Sequence, residues 1–249
     1  MVIFLQKNNN YLSLIKKEIK VAFVENKYLL LISALLFIIP MFAGYFFAPF
    51  FKSMLNPMVD SFRDRVSKGE IQLTQNSLFF NNVYVAIVIY FGGIIFGLLA
   101  AALLISNGLF IGFFATQYDL YTFILLTLPH GIFEIPGIII AGAGGFTMFI
   151  FIFNFFKEII FPKSADFKNL ENFENAISSF EKGVDSFAED IDSSDKNNTD
   201  RLYNSFNNNV DKLIQSIVLL VVAVILIVIA SFVEAYLTIP IAIFLLNFL

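Results

Sequence analysis

The sequence predicts an all-α, polytopic membrane protein of about five spans, with an extramembrane helical hairpin. Three observations carry that prediction. Of the 249 residues, 58% are hydrophobic and only 14% charged, where a soluble domain has about 45–50% apolar and about a quarter charged. Several runs reach the ~20 apolar residues that a helix needs to cross a ~30 Å hydrocarbon core. The polar stretches keep apolar residues at steps of three and four, the helical period.

Residues 1–27 form a basic amphipathic segment. Lys7, Lys16, Lys17, Lys20 and Lys27 outweigh Glu18 and Glu25. Leu12, Ile15, Ile19 and Phe23 recur at helical spacing between the lysines, the pattern of a helix lying on a membrane surface. No cleavable signal peptide is expected, because Gln6–Asn10 interrupts the short apolar start. The first span is 28–47. In the loop that follows, Phe51, Leu55, Met58, Phe62 and Val66 again have helical spacing, with Arg63, Asp64 and Arg65 on the other face.

The second span is 83–105, free of charge. The segment 108–128 is apolar except for Thr116-Gln117-Tyr118-Asp119. It either crosses, with Asp119 facing the bundle, or is re-entrant, because a lipid-exposed charge or irregular backbone is costly. A crossing is the preferred expectation. The fourth span is 131–156, completing a membrane core over 28–156.

Residues 157–216 are acidic and extramembrane. Leu170, Phe173, Ile177, Phe180, Val184, Phe187 and Ile191 form a heptad seam. After the polar run 192–200, Leu202, Phe206, Val210 and Leu213 resume helical spacing. An antiparallel hairpin follows, its seam covered by its own second arm or by a partner. Residues 217–249 form the last span, with Pro240 as a kink or end. Lysines before the first span make a cytoplasmic N-terminus the expectation. With no cysteine, disulfides, thiolate catalysis and thiolate metal sites are excluded. No basic patch suggests nucleic acid.

Ionisable residues inside spans are rare because they are expensive. His130, the chain's one histidine, and Glu134 are four apart and share a helix face. Glu234 stands alone in the last span. With Asp119 they make up a candidate polar membrane core. It would bind a divalent metal, pass a proton, or act as a hydrogen-bonded knot between spans. Pro129 and Gly131 suggest a helix break beside it. One histidine without a His-Glu-x-x-His pattern is a thin set for zinc, so no cofactor is expected, with a metal at His130, Glu134 and Glu234 as the alternative. Asn81 and Asn82 read as N-caps of the second span, and Asn107-Gly108 as a tight turn after it. Gly93, Gly97 and Ala101, and likewise Gly137, Ala141 and Gly145, are small residues four apart. Such rows let helices approach closely, within one chain or across a homodimer.

The order of these motifs resembles the stage II sporulation protein M family. The resemblance is carried by Phe80-Asn81-Asn82, Asn107-Gly108-x3-Gly112, Pro129-His130-Gly131-Ile132-Phe133-Glu134, Ala141–Phe146 and Val233–Thr238. Asn81, Asn82, Asn107, His130, Glu134 and Glu234 match that family's recurrent polar residues. The resemblance implies a multi-pass cell-membrane scaffold or assembly protein for envelope partners. For the family's namesake these are cell-wall-cleaving enzymes in spore engulfment, whereas the wider family also occurs in organisms that do not sporulate. The long acidic hairpin and the elaborate 51–70 loop point to a different partner set here. A transport or ion- or proton-conducting component using the buried His/Glu site is the first alternative, and an intramembrane hydrolase the second.

Overall fold

A computed structural model describes residues 2–68, 75–95, 97–160, 195–238 and 240. Among these residues the fold is all helical, in the order α1 (Val2–Glu25), α2 (Lys27–Phe46), α3 (Ala48–Ser67), α4 (Gln75–Gly92), α5 (Leu98–Ala115), α6 (Leu120–Ile160) and α7 (Asp195–Val233), closed by a π-helical turn, Glu234–Thr238. Lys27–Phe46, Leu98–Ala115, Leu120–Ile160 and Arg201–Thr238 are long and apolar enough to cross a bilayer, and Phe80–Gly92 is a shorter apolar helix.

The surface is that of an integral membrane protein. Ile39, Phe42, Leu98, Val221 and Ile225 are all at least half exposed. A soluble fold does not leave so much contiguous apolar surface bare. The interior instead carries small residues such as Ala86, Ala100, Ala141, Ala143 and Ala223, each fully buried. Lipid is as apolar as leucine, so helices associate by close packing rather than by hydrophobic burial.

Residue pairings give each helix its direction. Phe37 packs beside Gly108, and Met41 beside Gly112, so α2 and α5 are parallel. Gly97 meets Phe146 while Leu104 meets Gly142, so α6 returns antiparallel to α5. Tyr90 and Gly93 meet Gly144 and Gly145, so α4 runs with α6. Ser216, Ser205 and Arg201 bond the carbonyls of Gly144, Phe155 and Ile159 in turn, so α7 is antiparallel to α6. Over the described residues the chain therefore passes five times between two ends of the bundle. We call the end that holds Asn26, Gly97, Thr147 and Gln215 basal, and the end that holds Phe47 and Asp119 distal.

The boundaries differ from those read in the sequence. The expected span 83–105 is divided: α4 stops at Gly92, and the chain reverses before α5 begins at Leu98. Gly97 takes φ 69°, a left-handed value that glycine alone adopts freely. The segment 108–128 is neither one crossing nor a re-entrant unit. Residues 108–115 end α5, residues 116–119 form the distal turn, and 120–128 begin α6. The fourth pass thus starts at Leu120 rather than at 131. Gly93, Gly97 and Ala101 do not form one row, because the reversal separates them. Gly137, Ala141 and Gly145 do lie on α6, where Gly137 faces Ile227 and Gly145 faces Tyr90 within the same chain.

Two helices flank the passes. Among its described side chains, α1 docks on α7 through its last turns, around the buried Ala22. Tyr11, Leu12, Leu14 and Ile15 are each more than half exposed. α3 lies against the distal ends of α2 and α5, burying Leu55 and Val59 on Leu109 and Phe113. Val59 was missed, and Met58 is half exposed, so the buried stripe is rotated from the one expected. Arg63 covers the Tyr118 ring at 5.8 Å, holding α3 to the distal turn. The heptad seam over residues 170–191 and the last span beyond Pro240 lie outside the described residues.

Candidate functional site

Helix α6 brings His130 and Glu134 onto one face, with His130 Nε2 3.9 Å from Glu134 Oε2. The helix does not break beside them. Pro129, Gly131 and Pro136 all lie inside α6, because packed neighbours and local adjustments re-satisfy a freed carbonyl in a membrane helix. Opposite them, α7 widens into the π-turn. Thr238 Oγ1 donates to the Val233 carbonyl five residues back at 3.2 Å. This turn holds Glu234 and Thr238 toward α6. One ligand atom each from His130, Glu134 and Glu234 lies within 4.8 Å of the others. Thr238 Oγ1 is 3.4 Å from His130 Nδ1, a long hydrogen bond.

The depth of the cluster follows from helix rise. His130 and Glu134 lie roughly 25 Å and 20 Å along α6 from Thr147 at about 1.5 Å per residue. Both are nearer the distal than the basal end of α6 (Leu120–Ile160). Their side chains are 14% and 21% exposed, so the cluster is shielded without being sealed.

The remaining predicted site residues are elsewhere. Asp119 is exposed at the distal turn. Its Oδ2 accepts the Thr122 N–H at 3.0 Å and the Thr122 hydroxyl at 3.2 Å, which makes it the N-cap of α6 rather than a member of the polar core. Asp119→Ala is expected to lower stability by about 1 kcal/mol, and Asp119→Ser to restore most of it; thermal unfolding in detergent reads both. Asn81 and Asn82 are inside α4 rather than at its cap. Their side chains bond each other at 3.3 Å, and Asn82 is buried. Asn107 is inside α5, donating to the Leu103 carbonyl at 2.8 Å, and Gly108 is a helical packing residue rather than a turn.

A second polar cluster, at the basal end, was not singled out in the sequence. Asn26, between α1 and α2, donates to Gln215 Oε1 at 2.9 Å and accepts from the Thr147 hydroxyl at 3.2 Å. Lys212 Nζ reaches the same Gln215 oxygen at 3.0 Å. One helical turn deeper, the Ser216 hydroxyl bridges Tyr90 Oη at 2.9 Å and the Gly144 carbonyl at 2.8 Å. Every group is satisfied, which makes this a lock between passes. The signal available in the sequence was the isolated Thr147 and Ser216 at the edges of apolar runs.

These residues lie on a recognisable chain. Residues 33–239 match stage II sporulation protein M. The chain belongs to the stage II sporulation protein M family. The match takes in α4 to α7, the π-turn and both polar clusters apart from Asn26, and leaves out α1. An uncharacterized protein of Methanocaldococcus jannaschii is 27% identical over 154 residues, covering 58% of this chain and 70% of that relative. No solved structure matches. This family member therefore presents two polar clusters in an apolar bundle. The distal one holds the ionisable groups and the basal one holds the helices together. A conducting site of the broken-helix kind needs a half-helix end aimed at the polar groups. In this member α6 is continuous past His130, and the reversal at Gly97 is at the opposite end.

Proposed function

We propose that this stage II sporulation protein M family member is a multi-pass membrane scaffold or assembly protein that holds envelope-associated partners at its basal end. The observation that carries the reading is a paired arm. Helices α6 and α7 continue together past the Asn26–Thr147–Gln215 lock, by about 20 Å on α6 at helical rise. Arg201 Nη2 donates to the Ile159 carbonyl at 2.8 Å, Ser205 to the Phe155 carbonyl at 2.9 Å and Asn208 to Glu158 at 3.2 Å. The Phe151 and Phe206 rings meet edge to face at 6.2 Å.

This arm is more than a loop closure requires. The acidic, heptad-patterned residues 161–194 connect its two helices in sequence. Phe153 and Phe156 on α6 and Tyr203 on α7 are at least half exposed along the arm. In this reading the basal end is cytoplasmic, since Lys16, Lys17, Lys20 and Lys27 gather there. The partners include envelope enzymes of the kind associated with the family's namesake.

The test is affinity purification from native membranes after mild crosslinking. The full chain is compared with a variant whose residues 161–194 are replaced by a Gly/Ser linker, keeping Arg201, Ser205 and Asn208. The expected result is a partner enriched at least tenfold with the full chain, while both forms insert and purify equally. Identical recoveries from the two forms would remove the scaffold reading.

A further inference from the structure

We propose that His130 Nε2 and one oxygen each of Glu134 and Glu234 bind a divalent transition-metal ion toward the distal end of the bundle. The inference is independent of the scaffold reading.

The first support is charge. Two carboxylates face each other inside the bundle, where charge is costly unless compensated. Among the described residues, neither has a lysine or arginine partner, and Glu134 has the His130 imidazole 3.9 Å away. The second support is the histidine's tautomer. The Thr238 hydroxyl proton is committed to the Val233 carbonyl. In the Nδ1–H tautomer its oxygen accepts from His130, and Nε2 keeps its lone pair. That lone pair faces the Glu134 carboxylate at 3.9 Å. In that tautomer two electron-rich atoms face each other, an arrangement that a cation between them would relieve. An outer partner that fixes Nδ1 and frees Nε2 is also how metal-binding histidines are held.

The third support is distance. Ligands at about 2.1 Å from a metal are about 3–3.4 Å apart when adjacent. The observed separations, up to 4.8 Å, close to that by small side-chain rotations. The ligand set selects the ion class. One imidazole with two carboxylates suits zinc, manganese or iron(II) better than magnesium or calcium, which prefer oxygen throughout. Three protein ligands leave at least one position open. Glu234 and Thr238 lie four apart in the π-turn and face α6 together, and such turns concentrate at functional sites.

The experiment uses the full-length protein in detergent, stripped with chelator and titrated with Zn²⁺ and, separately, Mn²⁺. Bound metal is measured by elemental analysis after removal of excess, and thermal unfolding is followed with and without metal. The expected result is about one equivalent of a saturably bound ion that raises the unfolding temperature. Both effects should be lost in Glu234→Gln and in His130→Asn. Thr238→Val leaves the three ligands in place and should weaken binding about tenfold or more. No saturable binding by the unaltered protein overturns the proposal, whatever the variants do, and leaves a proton as the compensating cation. Binding that survives both Glu234→Gln and His130→Asn also overturns it, because the ion then lies elsewhere.

Discussion

Replacing both Gly108 and Gly112 by alanine is expected to be among the most damaging two-methyl changes in the bundle. The reason is the parallel contact of α2 and α5. A Cβ on Gly112 would overlap the Met41 carbonyl, with the carbonyl carbon at 2.8 Å, and a Cβ on Gly108 would overlap the carbonyl of Phe37. The obstacle in each case is backbone, which cannot rotate aside. The two helices must separate, and Phe37 and Leu104, both fully buried, would lose their packing. Overpacking costs about 1–3 kcal/mol per site. For a chain of this size each kcal/mol is about 2–4 °C of unfolding temperature, so the double variant should unfold on the order of 10 °C lower.

The control is on the same kind of residue. A Cβ on Gly131 would meet Thr127 Cγ2 at 3.7 Å and Ile135 Cδ1 at 3.9 Å, ordinary contacts. Gly131→Ala should therefore be neutral, or stabilise α6 by up to about 1 kcal/mol through helix propensity. Thermal unfolding in detergent reads all of these variants. An unaltered Gly108→Ala/Gly112→Ala protein would mean that α2 and α5 do not touch as described. A collapsed Gly131→Ala protein would reinstate the break beside His130.

The contrast between Gly131 and Gly97 shows what the sequence made legible. Apolar run length gave the fold class, because a bilayer imposes it on any chain. It did not place the second reversal. Gly92-Gly93-Ile94-Ile95-Phe96-Gly97 contains no polar residue, so a reading that looks for charge or asparagine passes over it. Pro129 and Gly131, by contrast, carry strong breaker chemistry in water and none that α6 fails to absorb. Once the reversal was missed, Asn107-Gly108 was assigned to a turn, and Asp119 was carried into the core as part of a span. The His130–Glu134 pairing was legible because four-residue spacing survives any shift of helix ends. Thr238 was not, because a lone threonine in an apolar run carries no sign of which distant helix it will meet. The basal lock was hidden for a similar reason. Asn26, Thr147 and Gln215 are ordinary polar residues until three separate helices bring them together.

The reversal also gives the topology its most decisive test. The protein has no cysteine, so single cysteines report cleanly against a silent background. Ile95 is more than half exposed in the turn. Gly97 beside it packs on Phe146, whose neighbour Thr147 bonds Asn26, so the turn is level with Lys27 at the start of α2. A cysteine at Ile95 should react with a membrane-impermeant maleimide from the same side as one at Tyr203, on the basal arm. A cysteine at Ser61, on exposed α3, should react from the opposite side. With the lysine-rich end inside, Ile95 and Tyr203 would be protected in intact cells and labelled after permeabilisation, each by a tenfold or greater change.

Were 83–105 a single span, Ile95 would sit near the bilayer midplane and stay unlabelled under both conditions. That outcome would remove the α4–α5 hairpin and the packing of Gly93 on Gly145. Labelling of Ile95 together with Ser61 would go further. It would break the five-pass arrangement, and with it the placement of the basal arm and the His130–Glu134–Glu234 cluster at opposite ends of the bundle.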